Sequence, residues 1–123
     1  MDLTGFTDQQ KQSLVDLLVL GMYADGNLDL IEDEKARQVL EAIQFPSESA
    51  RQYFIDASFA RARKHGASAK TTRSYVSEIA KSFLTPAVRR QVYDALNDSL
   101  LSDHQLADKE KELLAVVSEE FKL

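Results

Sequence analysis

Apolar residues recur along the chain at spacings of three and four, the period of helices that bury one face. Leu14, Leu17, Leu18 and Met22 set the first stripe. Val15, Val19 and Leu20 widen it until the helix is apolar nearly all round, as expected of a central helix. Thr7 and Gln10 have the spacing of a capping box at its start, and Ala24-Asp25-Gly26 is its expected stop. A second helix is predicted from Asp29, with Glu32 completing another box and Ile31, Ala36, Val39, Leu40 and Ile43 as its buried face. Pro46-Ser47 ends that unit and caps a third helix marked by Ala50, Tyr53, Phe54, Ala57 and Ala60. Arg61, Arg63, Lys64 and His65 fill its last turn, where cations suit the negative end of the helix dipole. Gly66 then suits a left-handed cap, and residues 66–72 read as a loop. Tyr75, Val76, Ile79, Ala80 and Phe83 define a fourth helix. Thr85-Pro86 supplies a cap and a first-turn proline for a fifth, along Val88, Val92, Leu96 and Leu100. Leu106, Leu113, Leu114, Val117 and Phe121 define a sixth. No alternating run competes as a strand, so the expected fold is all-α, a single compact bundle of about six helices.

Sliding the chain by 78 positions superposes its two ends. Asp25 falls on Asp103, Leu28 on Leu106 and Glu32 on Glu110. Behind them Leu18 meets Leu96, Met22 meets Leu100, Val39 meets Val117 and Ile43 meets Phe121. Two helix–loop–helix units, about 6–45 and 84–123, are therefore expected to form a pseudo-two-fold repeat around a basic helical insert at about 47–84. Each unit would bury one face against the other.

Composition narrows the classes open to the chain. Its 123 residues fit one domain, and 4 glycines and 2 prolines leave helices largely unbroken. There is no cysteine, hence no disulfide, thiolate ligand or cysteine nucleophile, in keeping with a reducing, cytoplasmic compartment. The first ten residues are acidic and polar, unlike a secretory signal. The longest apolar run, Leu14 to Ala24, contains Asp16 and falls short of the roughly 20 residues of a membrane span. Charge is segregated: residues 1–49 carry net −7, residues 50–91 net +7 and residues 92–123 net −5. The basic middle either answers the acidic ends within the fold or faces an acidic partner. Arg61, Arg63, Lys64, Lys70 and Arg73 are the candidates for partner contact. Few aromatics interleave with these cations and the chain is acidic overall, so a protein partner is expected rather than nucleic acid. Peripheral membrane association stays open.

The segment Tyr23-Ala24-Asp25-Gly26-Asn27-Leu28-Asp29-Leu30-Ile31-Glu32 resembles the Ala-Asp-Gly motif of TerB-like domains, the tellurite-resistance TerB family. Ser102-Asp103-His104-Gln105-Leu106-Ala107-Asp108-Lys109-Glu110 is similar to that family's second copy, with His104 in place of the usual glycine and Ala107 in place of a capping residue. The resemblance covers nearly the whole chain. It implies an all-helical fold with internal pseudo-symmetry, an accessory role in bacterial stress response, acidic residues that bind metal, and relatives found beside membrane-anchored J-domain co-chaperones.

Read from the residues themselves, Asp25-Gly26-x-Leu28-x-x-x-Glu32 matches the closing eight positions of an EF-hand loop. The first and third ligand positions would be Gly21 and Tyr23, or Ser99 and Leu101 in the second copy, so a complete EF-hand is excluded at both. What remains is a looser site in which Asp25, Asp29, Glu32, Asp103 and Glu110 converge on magnesium or calcium. The competing role is capping and turn formation, in which each acid offsets a helix dipole by roughly 0.3–1 kcal/mol. His65 and His104 share no zinc-binding spacing and read as solvated loop residues. No GxSxG, glycine-rich phosphate loop or nucleophile–base pattern is present. The expected function is non-enzymatic binding or scaffolding, with divalent-metal sensing as the alternative.

Overall fold

The computed structural model describes residues 3–25, 34–101 and 108–123. They form six helices, α1 (Asp8–Asp25), α2 (Glu34–Ala42), α3 (Glu48–His65), α4 (Ala69–Ala80), α5 (Pro86–Leu101) and α6 (Asp108–Glu120), with no strand among the described residues. The chain is all-helical.

The helix starts follow the side chains that cap them. Thr7 N–H donates to Gln10 Oε1 at 2.9 Å and Gln10 N–H returns a bond to Thr7 Oγ1 at 3.1 Å, the reciprocal box expected for α1. Ser47 accepts from the Ala50 amide at the start of α3, and Thr85 accepts from the Val88 amide ahead of Pro86 at the start of α5. The predicted starting box of α2, Asp29 with Glu32, lies outside the described residues, as do the two bends of the expected repeat. The apolar positions matched in that repeat, Leu18 and Leu96, Met22 and Leu100, Val39 and Val117, Ile43 and Phe121, are all buried.

Two expectations at the α3–α4 corner need correction. Only residues 66–68 separate these helices, because Ser68 caps α4 by accepting from the Thr71 amide and so draws residues 69–72 into the helix. Gly66 is right-handed, at φ −78°, and not in the left-handed region. Its requirement is spatial: a Cβ there would lie 2.6 Å from the Ala62 carbonyl oxygen and 2.9 Å from the Tyr23 ring.

Helix α1 is the axis. Leu14, Val15, Leu17, Leu18, Val19, Leu20 and Met22 are all buried, and α1 packs against each of the other five helices. The helices alternate in direction around it. At one pole, Gln10 Nε2 donates to the Ser82 carbonyl, Lys11 Nζ to the Ala42 carbonyl, and the Ser13 and Ser82 hydroxyls are bonded. The start of α1 thus meets the ends of α2 and α4. At the other pole, Tyr23 near the end of α1 lies against Gly66, and Gly21 faces Leu96 and Leu100 of α5. The core is one continuous cluster that also includes Phe83, Val92, Val117 and Phe121.

Arg89 closes the first pole. Its guanidinium donates to the Phe83 carbonyl at 2.6 Å, to Ala80 at 3.2 Å and to Phe121 at 3.3 Å. A cation in the first turn of a helix opposes the dipole of its own helix. Here it instead reaches the Phe83 and Phe121 carbonyls just past the ends of α4 and α6, together with the Ala80 carbonyl, which also accepts the Phe83 amide at 3.0 Å. Removing the guanidinium takes the side-chain donor from the partly buried Phe83 and Phe121 carbonyls, while Ala80 keeps the Phe83 amide. Arg89→Ala is expected to lower unfolding free energy by about 2–4 kcal/mol. Arg89→Lys should recover only part of that, since an ammonium lacks the planar fork. Urea midpoints of the three proteins check this; an unchanged midpoint in Arg89→Ala would refute the clasp.

Candidate functional site

The residues singled out from the sequence divide by where the fold puts them. Asp29, Glu32, Asp103 and His104 lie outside the described residues. Asp25 is the last residue of α1. Glu110 sits in the first turn of α6 and is 2% exposed, inside the bundle rather than on a free acidic rim. Among the described residues, no three histidine, aspartate or glutamate side chains come together as a metal site.

Arg61, expected among the partner-facing cations, is engaged internally. Asp16, the one charge in the apolar run of α1, accepts from Arg61 Nη2 and from Ser58 Oγ, each at 2.7 Å. A carboxylate on a helix surrounded by five others needs a cation brought to it. Arg61 also lies 5.9 Å from the Phe54 ring centroid. Burial would lower its pKa, but the hydrogen bond and charge of Asp16 outweigh this and raise it. Tyr75 of α4 completes the group at 8% exposure. Neither its hydroxyl nor Arg61 Nε, both shut off from solvent, has a hydrogen-bond partner. Desolvation, reinforced by the Asp16 charge, pushes the Tyr75 phenol up to about 12, against the opposing pull of Arg61. His65, expected to be a solvated loop residue, is the last residue of α3, half-buried, with its ring stacked on Tyr75 at 4.5 Å. The aromatic face of Tyr75 attracts it out of water.

Arg73 is shared between two carboxylates of α6, Glu119 at 2.9 Å and Glu120 at 3.3 Å. Arg63, Lys64 and Lys70 differ from it. All three are exposed and enter no ion pair among the described residues. They flank the α3–α4 corner, whose backbone is held by the Thr71 and Thr72 hydroxyls, both donating to the His65 carbonyl.

That corner forms one side of an open cleft of about 590 Å³. The end of α1 supplies Leu20, Tyr23 and Ala24, and α6 supplies the opposite wall with Leu113, Ala115 and Val116. Arg73, Lys109, Glu112 and Glu119 provide its charged lining. The sequence had no direct signal for this cleft. Its only trace is surplus: Tyr23 and Val116 are apolar positions beside the core stripes, and both are only partly buried.

The family model described as "Tellurite resistance protein TerB" matches residues 11–123. No curated protein and no solved structure matches the chain.

The Tyr75 hydroxyl supplies the test of this packing. Its folded pKa lies above its ordinary value of 10, so the unfolded chain ionises first. Stability is therefore complete below about pH 10 and drains away as pH rises through 12. Tyr75→Phe is expected to cost less than about 1 kcal/mol at neutral pH, because the hydroxyl has no partner to lose. It should also reduce the alkaline loss. Urea unfolding of both proteins across the alkaline range checks the pair of outcomes; an equal alkaline loss in Tyr75→Phe would contradict the assignment.

Proposed function

The chain belongs to the TerB family, and from that membership we propose that it is a non-enzymatic binding or scaffolding module of a bacterial stress response, working through the pole that carries the cleft. The observation that supports this reading is the contrast between the two poles. One is fastened by Arg89 across the ends of α4 and α6. The other opens into a cleft of about 590 Å³, bounded by the α3–α4 corner on which Arg63, Lys64 and Lys70 enter no ion pair among the described residues. Volumes of roughly 300–1,000 Å³ are those in which proteins seat ligands and partner side chains. The family description and the notion of a protein partner act at the level of the cell, so the test does too. In a strain deleted for this gene, the wild-type chain should restore growth under tellurite or peroxide. Ala115→Trp fills the cleft from an exposed position on α6 and should not restore it, while retaining the wild-type circular dichroism. Full rescue by Ala115→Trp would remove the cleft from the function, and a deletion without phenotype would remove the stress role.

A second reading, divalent-metal sensing, draws support from the alternation of the helices. Asp25 at the end of α1 and Asp108 and Glu110 at the start of α6 belong to the same pole. Magnesium or calcium bound there, with Asp29, Glu32 and Asp103 completing the donor set, would neutralise carboxylates at a helix start. Carboxylate and carbonyl oxygens are the donors these hard cations prefer. Binding to the folded state raises its stability with ligand concentration. Thermal unfolding should shift upward with magnesium or calcium, and Asp25→Asn and Asp103→Asn should each abolish the shift. No shift at millimolar ion excludes the sensor.

A further inference from the structure

Helix α3 packs on α1 and α4 through the side that buries Ser58 and Ala62. Its opposite side carries Tyr53, Ala57, Ala60 and Lys64, whose spacings of four, three and four align them in one stripe. Tyr53 is the one exposed aromatic among the described residues, and Ala60 is exposed as well. The charges along this stripe are divided. Asp56 stands on its first half, four residues before Ala60, and Arg63 and Lys64 stand on its second half, three and four residues after it. All three are exposed and enter no ion pair among the described residues. Asp56 accepts from the Gln52 amide of its own helix, a neutral donor that leaves its charge unanswered.

A helix with this pattern complements itself reversed. With a two-fold axis at Ala60, Asp56 of one copy stands level with Lys64 of the other, and the axis repeats the contact in the opposite sense. Pairing in the same direction would set Arg63 and Lys64 against themselves, so charge selects the antiparallel arrangement. Ala60 meets its own copy on the axis, where a larger side chain would hold the helices apart. Each Tyr53 ring then stands toward the basic last turn of the other α3, and its face attracts a cation.

We propose that the outer side of α3 is a self-association surface, on which a second copy of this chain docks antiparallel about Ala60. The surface is separate from the cleft and does not depend on it. It would make the binding module bivalent: α3 ends at the cleft pole, so reversing it across the axis points the two clefts to opposite ends of the pair. One helix face is a small contact, so the pair is weak and exchanges with the single chain.

Sedimentation equilibrium of the full chain, from about 10 μM to about 1 mM, reads the association. The average mass should rise with concentration towards that of a pair and fall back at high salt. Asp56→Lys leaves cations on both halves of the stripe, and Arg63→Glu combined with Lys64→Glu leaves carboxylates on both. Each protein alone should associate at least about tenfold more weakly than the wild type, whereas an equal mixture of the two should pair again. A misfolded variant would not recover on mixing, so recovery reads the surface and not the stability of the chain. Ala60→Arg, at an exposed position, should abolish association while keeping the wild-type circular dichroism. A single-chain mass throughout the range overturns the proposal. So does a mixture that stays monomeric, or undiminished association of Ala60→Arg or of either charge variant, which would move the contact to another face. Loss of the pair leaves the cleft reading where it stands, since Ala115→Trp tests that separately.

Discussion

Every helix in this protein packs on α1, and that single constraint orders the rest. A helix buried on all sides can be apolar almost without interruption, but it cannot define an outside for itself. Its neighbours do so by dividing their own surfaces between α1 and solvent. Helix α3 shows the arrangement clearly: Ser58 and Ala62 are buried while Tyr53 is 77% exposed. The one carboxylate on the buried stretch of α1, Asp16, fixes how α3 must lie, since Ser58 and Arg61 have to reach it. A charge removed from water without both partners would be costly, so the pairing selects one register of α3 on α1.

The alternation of helix directions distributes the chemistry unevenly. Both acidic bends of the sequence are flanked by helix ends at the pole that also carries the basic α3–α4 corner. The opposite pole gathers the side chain to backbone bonds of Gln10, Lys11 and Arg89. Segregation of charge along the sequence becomes partly internal and partly external in the fold. Arg61 and Arg73 answer acids of α1 and α6, whereas Arg63, Lys64 and Lys70 answer none among the described residues.

Much of the architecture was legible because it is local. Capping is a spacing rule, so Thr7 with Gln10, Ser47, and Thr85 with Pro86 announce helix starts before any tertiary contact is known. Helical periodicity likewise picks out the buried stripes of α1, α2, α4, α5 and α6, but not that of α3, where Ser58 and Ala62 are buried while Tyr53 and Ala60 are exposed. What escaped was non-local. Arg89 in a first turn looks misplaced until the ends of α4 and α6 are brought to it. Gly66 looks like a cap residue, and only the approach of Tyr23 shows why a side chain is excluded. His65 reads as solvated until Tyr75 is placed beneath it. The cleft escaped for the same reason: its walls come from three separate stretches, and no periodicity within one helix encodes the space between helices. The acidic candidates Asp29, Glu32 and Asp103 were legible as a motif, yet lie outside the described residues.

The Arg89 clasp has a further consequence. Its three acceptors are peptide oxygens, so the seam ties side chain to main chain and depends on no second side chain. Because one of its oxygens belongs to Phe121, directly after α6, fraying of that helix's last turn is restrained by a side chain 32 positions earlier. The end of α6 behaves as a stitched hem.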